Sequence, residues 1–337
     1  MSVLVIAKKE FKDYLSSRQF WAIYLIFNLL ILASAYQGAY DYKENVRKYE
    51  EELRRVEEMK SMDGEVPPAL LRIMVPKPNV LISFTRMTSY IALIGALLAI
   101  IIGFNAISGE KDKGTLTILL SYPTFRDKII NGKFLGRVAI LILACTFTLI
   151  AGIGITIGLT NAQITYEEIT RIVAFILVSS LYLSSFLVIS IFLSIIFKEN
   201  ISSLVTCIIL WVSSVFLLMP ISKLIAIILY PLPKAIVWSN LSEVEKHAIE
   251  EATRNHFTLI DMISRVSPSY NYQKLGQFIL NPYAGEMSFK FMSAPETSPL
   301  PLSESLALSW SSLAVLLGLT IFVFVASYLL FMRQDVR

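Results

Sequence analysis

Residues able to do chemistry are few in this sequence. The two histidines, His247 and His256, stand nine residues apart. That spacing puts them on much the same side of one helix but too far apart to meet at one metal ion, so both are expected at the surface and no metal site is expected. Cys145 and Cys207 fall inside long apolar runs, where a cysteine reads as a small apolar residue and implies neither a disulfide nor a metal site. The nearest approach to a phosphate-binding loop is DKIINGKF, residues 127–134. Asp127 stands where the first glycine is required, and Phe134 where a Ser or Thr would hold magnesium. No catalytic residue and no cofactor are therefore expected in this chain.

What remains is charge in an unexpected place. The stretch FNAISGEKDKGTLTILLSYPTFRDKIINGKFLG, residues 104–136, sets Glu110, Lys111, Asp112 and Lys113 between Gly109 and Gly114, with long apolar runs on either side. Each glycine costs a helix roughly 1 kcal/mol relative to Ala, so the preceding run should end or bend there. TLTILLSYP is too short to span a bilayer and too apolar to float in water; it should lie along the interface or pack beneath the bundle. Pro123 stops it, and Thr124 with Asp127 is placed to cap a second short helix leading through Lys128, Lys133 and Arg137. The connector reads as a structured elbow with a polar tip. For Glu110 two roles stand open: contact with a soluble partner, or a carboxylate that fixes the elbow by capping backbone amides.

The elements that would position this elbow follow from composition. The 337 residues are 55% hydrophobic and 17% charged, with a mean hydropathy of +0.62, more apolar surface than a water-soluble core needs. A helix crosses ~30 Å of hydrocarbon in about 20 residues. Six runs qualify, near 20–36, 87–107, 138–160, 172–197, 201–222 and 305–332. The fold expected is an all-α integral membrane protein of six transmembrane helices. The first run lacks a small-residue cleavage site after Tyr36 and reads as a retained anchor rather than a signal peptide.

Basic residues near span ends stay on the cytoplasmic side. With the N-terminus inside, the inner segments hold 13 basic and 7 acidic residues, a net +6, and the outer ones 17 and 19, a net −2. Both termini are expected to be cytoplasmic, and the overall +4 carries no implication of nucleic acid. The chain then divides into an amphipathic N-terminal segment (1–19), the first span (20–37), an outer helical segment (38–86) and spans two to five (87–222) with the elbow at 107–137. An outer segment (223–304) and the sixth span with its tail (305–337) complete it.

In the first outer segment Val46, Tyr49, Leu53 and Val56 repeat at helical spacing, with Glu50–Arg54 and Glu51–Arg55 placed to pair at i,i+4. The first span should thus continue outward as a helix and break near Gly64, Pro67 and Pro68. In the second, Ser242 with Glu245 fits a capping box opening an amphipathic helix whose stripe includes Val244, Ala248, Ile249, Ala252, Leu259 and Ile263. Beyond Pro268, a richness in Pro, Ser, Asn and Tyr suggests irregular loops. The stretch between Pro220 and Pro233 reads equally as the end of the fifth span or a re-entrant dip.

No Asp, Glu, Lys, Arg or His lies within the six cores, which argues against a proton relay and against a channel or membrane-embedded enzyme sharing this topology. Their polar content is hydroxyls, among them Ser179, Ser180, Ser184, Ser185, Thr206, Ser213 and Ser214, expected to serve helix packing and local backbone bonding. Gly154 and Gly158 form a G-x-x-x-G step that permits close helix approach.

ISGEKDKGTLTILLSYPTFRDKIINGKFLG closely resembles the segment between the second and third spans of permease subunits of type-2 ABC exporters. The shared features are Ser-Gly-Glu, a charged pair, Gly-Thr-Leu, Leu-Leu-Ser-Tyr-Pro, an Arg and Gly-Lys. The match covers about 30 residues of the 337; the basic AKKEFKDYLSSRQFW, the six spans and the terminal FMRQDVR agree more loosely. The resemblance implies a permease that dimerises, as a homodimer or heterodimer, in the cell membrane and sits on ATPase subunits that bind the ATP and magnesium. It further implies ATPase-coupling contacts at Ser108, Gly109, Glu110, Lys111, Gly114 and Thr115 in the elbow. A second set would be Phe197, Lys198, Glu199 and Asn200 between the fourth and fifth spans. A related assembly subunit that works on an outer partner without moving a solute is the alternative.

Overall fold

The computed structural model describes residues 2–62, 78–116, 125–232, 242–283 and 299–333, and the regular elements among them are all helical. In chain order these are α1 (Val3–Leu15), α2 (Arg18–Met62), α3 (Val80–Gly103) and the short α4 (Ser108–Asp112). They continue with α5 (Arg126–Thr160), α6 (Tyr166–Ile196) and α7 (Asn200–Leu229). The last three are α8 (Glu243–Ser264), α9 (Pro268–Leu280) and α10 (Leu302–Arg333). Helices α2, α3, α5, α6, α7 and α10 are long and apolar enough to cross a membrane, one for each of the six apolar runs.

The centre of the bundle is α6, which buries Phe175, Tyr182 and Leu183 against Phe27 and Ile31 of α2, Met87 and Ile91 of α3, and Leu141 and Leu149 of α5. By contrast α7 and α10 turn apolar side chains such as Ile201, Ile228, Phe322 and Val325 outward, as helices facing hydrocarbon do. Both described chain ends stand at the end of the bundle that carries the elbow. Ile6 of α1 lies against Gly132 of α5, and Arg126 Nη1 donates to the carbonyl of Met332 at 3.3 Å.

The first span does continue as one helix to Met62, with Val46, Tyr49 and Leu53 half-buried along one side. Its ion pairs run differently from expectation: Glu51 reaches back to Arg47 at 3.7 Å, and Arg47 also meets Glu44 at 2.9 Å. Gly64, Pro67 and Pro68 lie outside the described residues, as do Thr124 and most of TLTILLSYP. No separate short helix precedes the third span among the described residues; α5 begins at Arg126 and runs unbroken through Lys133 and Arg137.

Residues 218–229 extend the fifth span rather than dipping back. Pro220 is accommodated by a π turn at Ser213–Leu217. Its ring would strike the carbonyl of residue 216 in a regular helix, and widening the turn relieves that contact. Helix α8 returns antiparallel along α7, its capping box formed by Ser242 and Glu245, with Ser222 and Ser264 hydroxyls 2.9 Å apart. Its buried side carries Ile249, Ala252, Leu259 and Ile263, but Val244 and Ala248 are exposed. His256 sits on that side too: it is buried, with Nδ1 2.8 Å from the carbonyl of Tyr230, whereas His247 is exposed. Nine residues make about two and a half turns of α8, so the two rings point to opposite sides of the helix rather than sharing one, and only His256 turns inward.

The expected loop after Pro268 is a buried helix. Ser267 accepts from Tyr270 N, Pro268 occupies the first turn, and Tyr272, Leu275 and Ile279 are buried. Proline at this position lacks only an N–H that the helix start leaves unpaired anyway. Tyr272 stacks on Tyr182 with centroids 4.3 Å apart and meets Ser179 at 2.9 Å. The remaining hydroxyls bond as expected, Ser184, Thr206 and Ser213 to carbonyls four residues back and Ser214 to Ser267 and Ser269. Gly154 and Gly158 are a correction: a methyl added at either would meet nothing within 4 Å. Close approach in α5 occurs instead at Gly132 and Gly136.

Candidate functional site

The elbow is built around hydroxyl groups. Helix α3 ends at Gly103, and the next turn is held by Ser194 of α6, whose Oγ accepts from the backbone N–H of both Ile107 and Ser108 at 2.8 Å. Ser108 Oγ donates to Asn200 Oδ1 at 2.7 Å, and Ser203 Oγ donates to the carbonyl of Phe104 at 3.0 Å. The carbonyl of Phe104 just after α3 and the first N–H groups of α4 are thereby satisfied by side chains from the end of α6 and the start of α7. Gly109 packs beside the Asn200 amide, where an added Cβ would stand in ordinary contact at 3.4 Å.

Helix α4 closes at Gly114, whose φ of +68° suits a residue without Cβ. Thr115 N donates to the carbonyl of Glu110 at 2.9 Å and Gly114 N to that of Lys111 at 3.0 Å, the two-bond helix end that favours glycine. Lys111 folds back across the other connector, donating to the carbonyls of Ile195 and Phe197. Burial lowers its pKa, and the nearby charge of Lys198 acts in the same direction.

Ten residues expected at the coupling contacts thus fall into two groups. Ser108, Gly109, Glu110, Lys111, Phe197 and Asn200 are buried or half-buried and lock the two connectors together. Gly114 and Thr115, with Lys198 and Glu199, are exposed and make the outer rim of one surface together with Asp112 and Lys113.

Glu110 does not cap amides. Its Oε1 meets Lys133 Nζ of α5 at 2.6 Å, while Oε2 is buried without a hydrogen-bond partner among the described residues. Lys133 also meets Glu10 Oε1 of α1 at 2.8 Å, and the other Glu10 oxygen meets Arg137 Nη2 at 3.0 Å. Arg137 Nη1 continues to Tyr14 Oη at 2.8 Å, Asn105 Oδ1 at 3.0 Å and the carbonyl of Ile102. Glu10, Lys133 and Arg137 are all buried. Burial alone would raise the Glu10 carboxyl, but the charges and hydrogen bonds of Arg137 and Lys133 outweigh it and hold the pKa below its ordinary value.

Two glycines let α1 come close enough for these bonds. A Cβ on Gly136 would lie 2.5 Å from the Ala7 carbonyl oxygen, and one on Gly132 would lie 2.6 Å from Ile6 Cβ. Sequence reasoning missed Glu10 and this cluster. The available signals were the spacing of Gly132 and Gly136 around Lys133, and Glu10 with Tyr14 one turn apart on an amphipathic helix.

At the opposite end of the bundle Arg171 plays a comparable organising part. It is buried, pairs with Glu167 at 3.2 Å, and donates to the carbonyls of Ile279 (2.8 Å) and Leu300. It thereby ties α9 and the entry to α10 onto α6, beneath a cleft of about 360 Å³ that Tyr42, Asn79 and Glu168 also line.

Known proteins resemble part of this chain. A probable ABC transporter permease protein NosY of Pseudomonas aeruginosa is 32% identical over 142 residues, 42% of this chain and 41% of that protein. The protein of the same name from Stutzerimonas stutzeri is 30% identical over 139 residues, 41% of this chain and 40% of its own length. The matched part spans about two fifths of either relative. Residues 4–336 match the family described as ABC-2 family transporter protein. With six helices able to cross a bilayer and a family match over nearly its whole length, this multi-pass membrane chain belongs to the ABC-2 family of transporter proteins.

Proposed function

We propose that this chain is the permease subunit of an ABC exporter, driven by a separate ATPase that docks on the paired elbows from the cytoplasm. In this reading both termini are cytoplasmic, ATP and magnesium are bound by the partner, and two permeases assemble in the cell membrane around the transport path. The observation that carries it is the bond between Ser108 and Asn200, which makes one rigid surface out of two connectors. Asp112, Lys113, Lys198 and Glu199 stand exposed on its rim. A soluble motor needs such a surface: exposed charges to orient on, and a stiff attachment to helices α3, α6 and α7 so that docking motion reaches the spans. The resemblance to NosY permeases and the concentration of basic residues in the elbows support the same orientation.

The reading is tested by co-expressing the chain with a candidate partner ABC ATPase and purifying through the permease. The ATPase should be retained by the wild-type chain and lost, at least about tenfold, on reversing charge at Lys113 and Lys198 together. Equal retention would contradict it.

A second reading, a subunit that works on an outer partner without moving solute, is favoured by one feature. Helix α2 projects 45 residues, roughly 67 Å at 1.5 Å per residue and about twice a bilayer core. ATP-dependent uptake of candidate solutes into inverted vesicles separates the two.

A further inference from the structure

We propose that the N-terminal helix α1 is a working part of the coupling unit, and that Glu10 is the positioning residue that makes it so. This rests on the proposed role of the elbow. Helix α4 has five residues, too few to hold its own shape or bear a lateral load. On the α5 side its support is the Glu110–Lys133 pair, and Lys133 in turn is shared with Glu10 at 2.8 Å. Glu10 is the one carboxylate in the cluster that engages both cations, through Oε1 to Lys133 and Oε2 to Arg137. Arg137 carries the connection to Asn105 and Ile102 where α3 ends. Four segments, α1, the end of α3, the elbow and the start of α5, therefore meet through one side chain.

The contact has little slack. At Gly136 the α1 backbone comes so close that a methyl would lie 2.5 Å from the Ala7 carbonyl oxygen, so no side chain there cushions relative motion. Two carboxylates and two cations balance in charge, and withdrawing any one leaves a buried charge uncompensated. A displacement imposed on α4 thus drags Lys133, and with it α1 and the first turns of α5, as one body. Without Glu10, α1 keeps only the Arg137–Tyr14 bond to the cluster, and the stroke is no longer conveyed through α1 to the span α2 that follows it.

The test uses the permease–ATPase complex with spin labels at Lys43→Cys and Val244→Cys, both exposed positions. The native Cys145 and Cys207 are buried and leave those labels distinct. The wild-type complex should shift its label-to-label distance on trapping with ATP and vanadate. Glu10→Gln should retain the ATPase while the shifted fraction falls about fivefold or more. The double variant Glu10→Gln/Arg137→Gln restores charge balance; it should recover thermal stability without recovering the shift. A normal shift in Glu10→Gln, or a shift regained along with stability in the double variant, would overturn the proposal and leave Glu10 structural. No shift in a wild-type complex that holds its ATPase would overturn this inference while leaving docking intact. Failure of the wild-type chain to hold the ATPase would remove the coupling reading itself and this inference with it.

Discussion

Ser108 Oγ donates to Asn200 Oδ1 at 2.7 Å across 92 residues of sequence, and this bond joins the two connectors at one end of the bundle. Because Ser108 is buried, removing either partner strands a polar group. Ser108→Ala and Asn200→Ala should each destabilise by about 1 kcal/mol, and the double variant by clearly less than their sum. Melting of the four proteins in one detergent checks this; strict additivity would mean the bond contributes nothing.

Gly136→Ala and Gly154→Ala make a contrast within one helix. The first places a methyl 2.5 Å from the Ala7 carbonyl oxygen and 2.8 Å from Glu10 Cβ. It should cost about 1–3 kcal/mol by forcing α1 away. The second meets nothing within 4 Å and should be neutral or slightly stabilising, through helix propensity alone. Melting temperatures of the isolated chain decide.

Glu10 predicts an acid-side loss of stability. Its folded pKa is held below the ordinary carboxylate value, so its contribution is full above that value and disappears as pH falls through the lower folded one. Melting temperature should fall as pH drops below the ordinary carboxylate range, and Glu10→Gln should start lower at neutral pH and fall less steeply. Asp261, which burial would raise but which Lys274, Tyr270 and Arg265 hold low, contributes in the same direction. It remains in both proteins, so the difference between the curves isolates Glu10.

Arg171→Met should loosen the opposite end of the bundle. The carbonyls of Ile279 and Leu300 lose a charged donor, an interaction worth about 1.5–3 kcal/mol. Hydrogen exchange should rise over Pro268–Leu280 while residues 104–112 remain protected. Uniform exchange along the chain would contradict this local role.

The six spans were legible because twenty apolar residues in a row have few alternatives, and the Ser242–Glu245 capping box because its hydrogen bonds are local. Helix α9 was not: Pro, Ser, Asn and Tyr favour loops on propensity, and only tertiary burial of Tyr272 and Ile279 makes them a helix. At the elbow, sequence singled out the charged residues but not the direction each faces. Nothing local in GEKDKG says that Glu110 and Lys111 turn inward while Asp112 and Lys113 remain outside, because Lys133, Ile195 and Phe197 arrive from distant segments. The Gly154–Gly158 step failed for the same reason. Spacing permits close approach, but another helix must be there to take it.

The central claim is that the rim formed by residues 112–115 with Lys198 and Glu199 is gripped by a cytosolic ATPase. A photocrosslinking residue at position 198, in cells co-producing the ATPase, tests it most directly. The account predicts a covalent adduct between the two polypeptides and none from a control crosslinker at the exposed position 244. Absence of the adduct at 198, together with its appearance at 244, would contradict it.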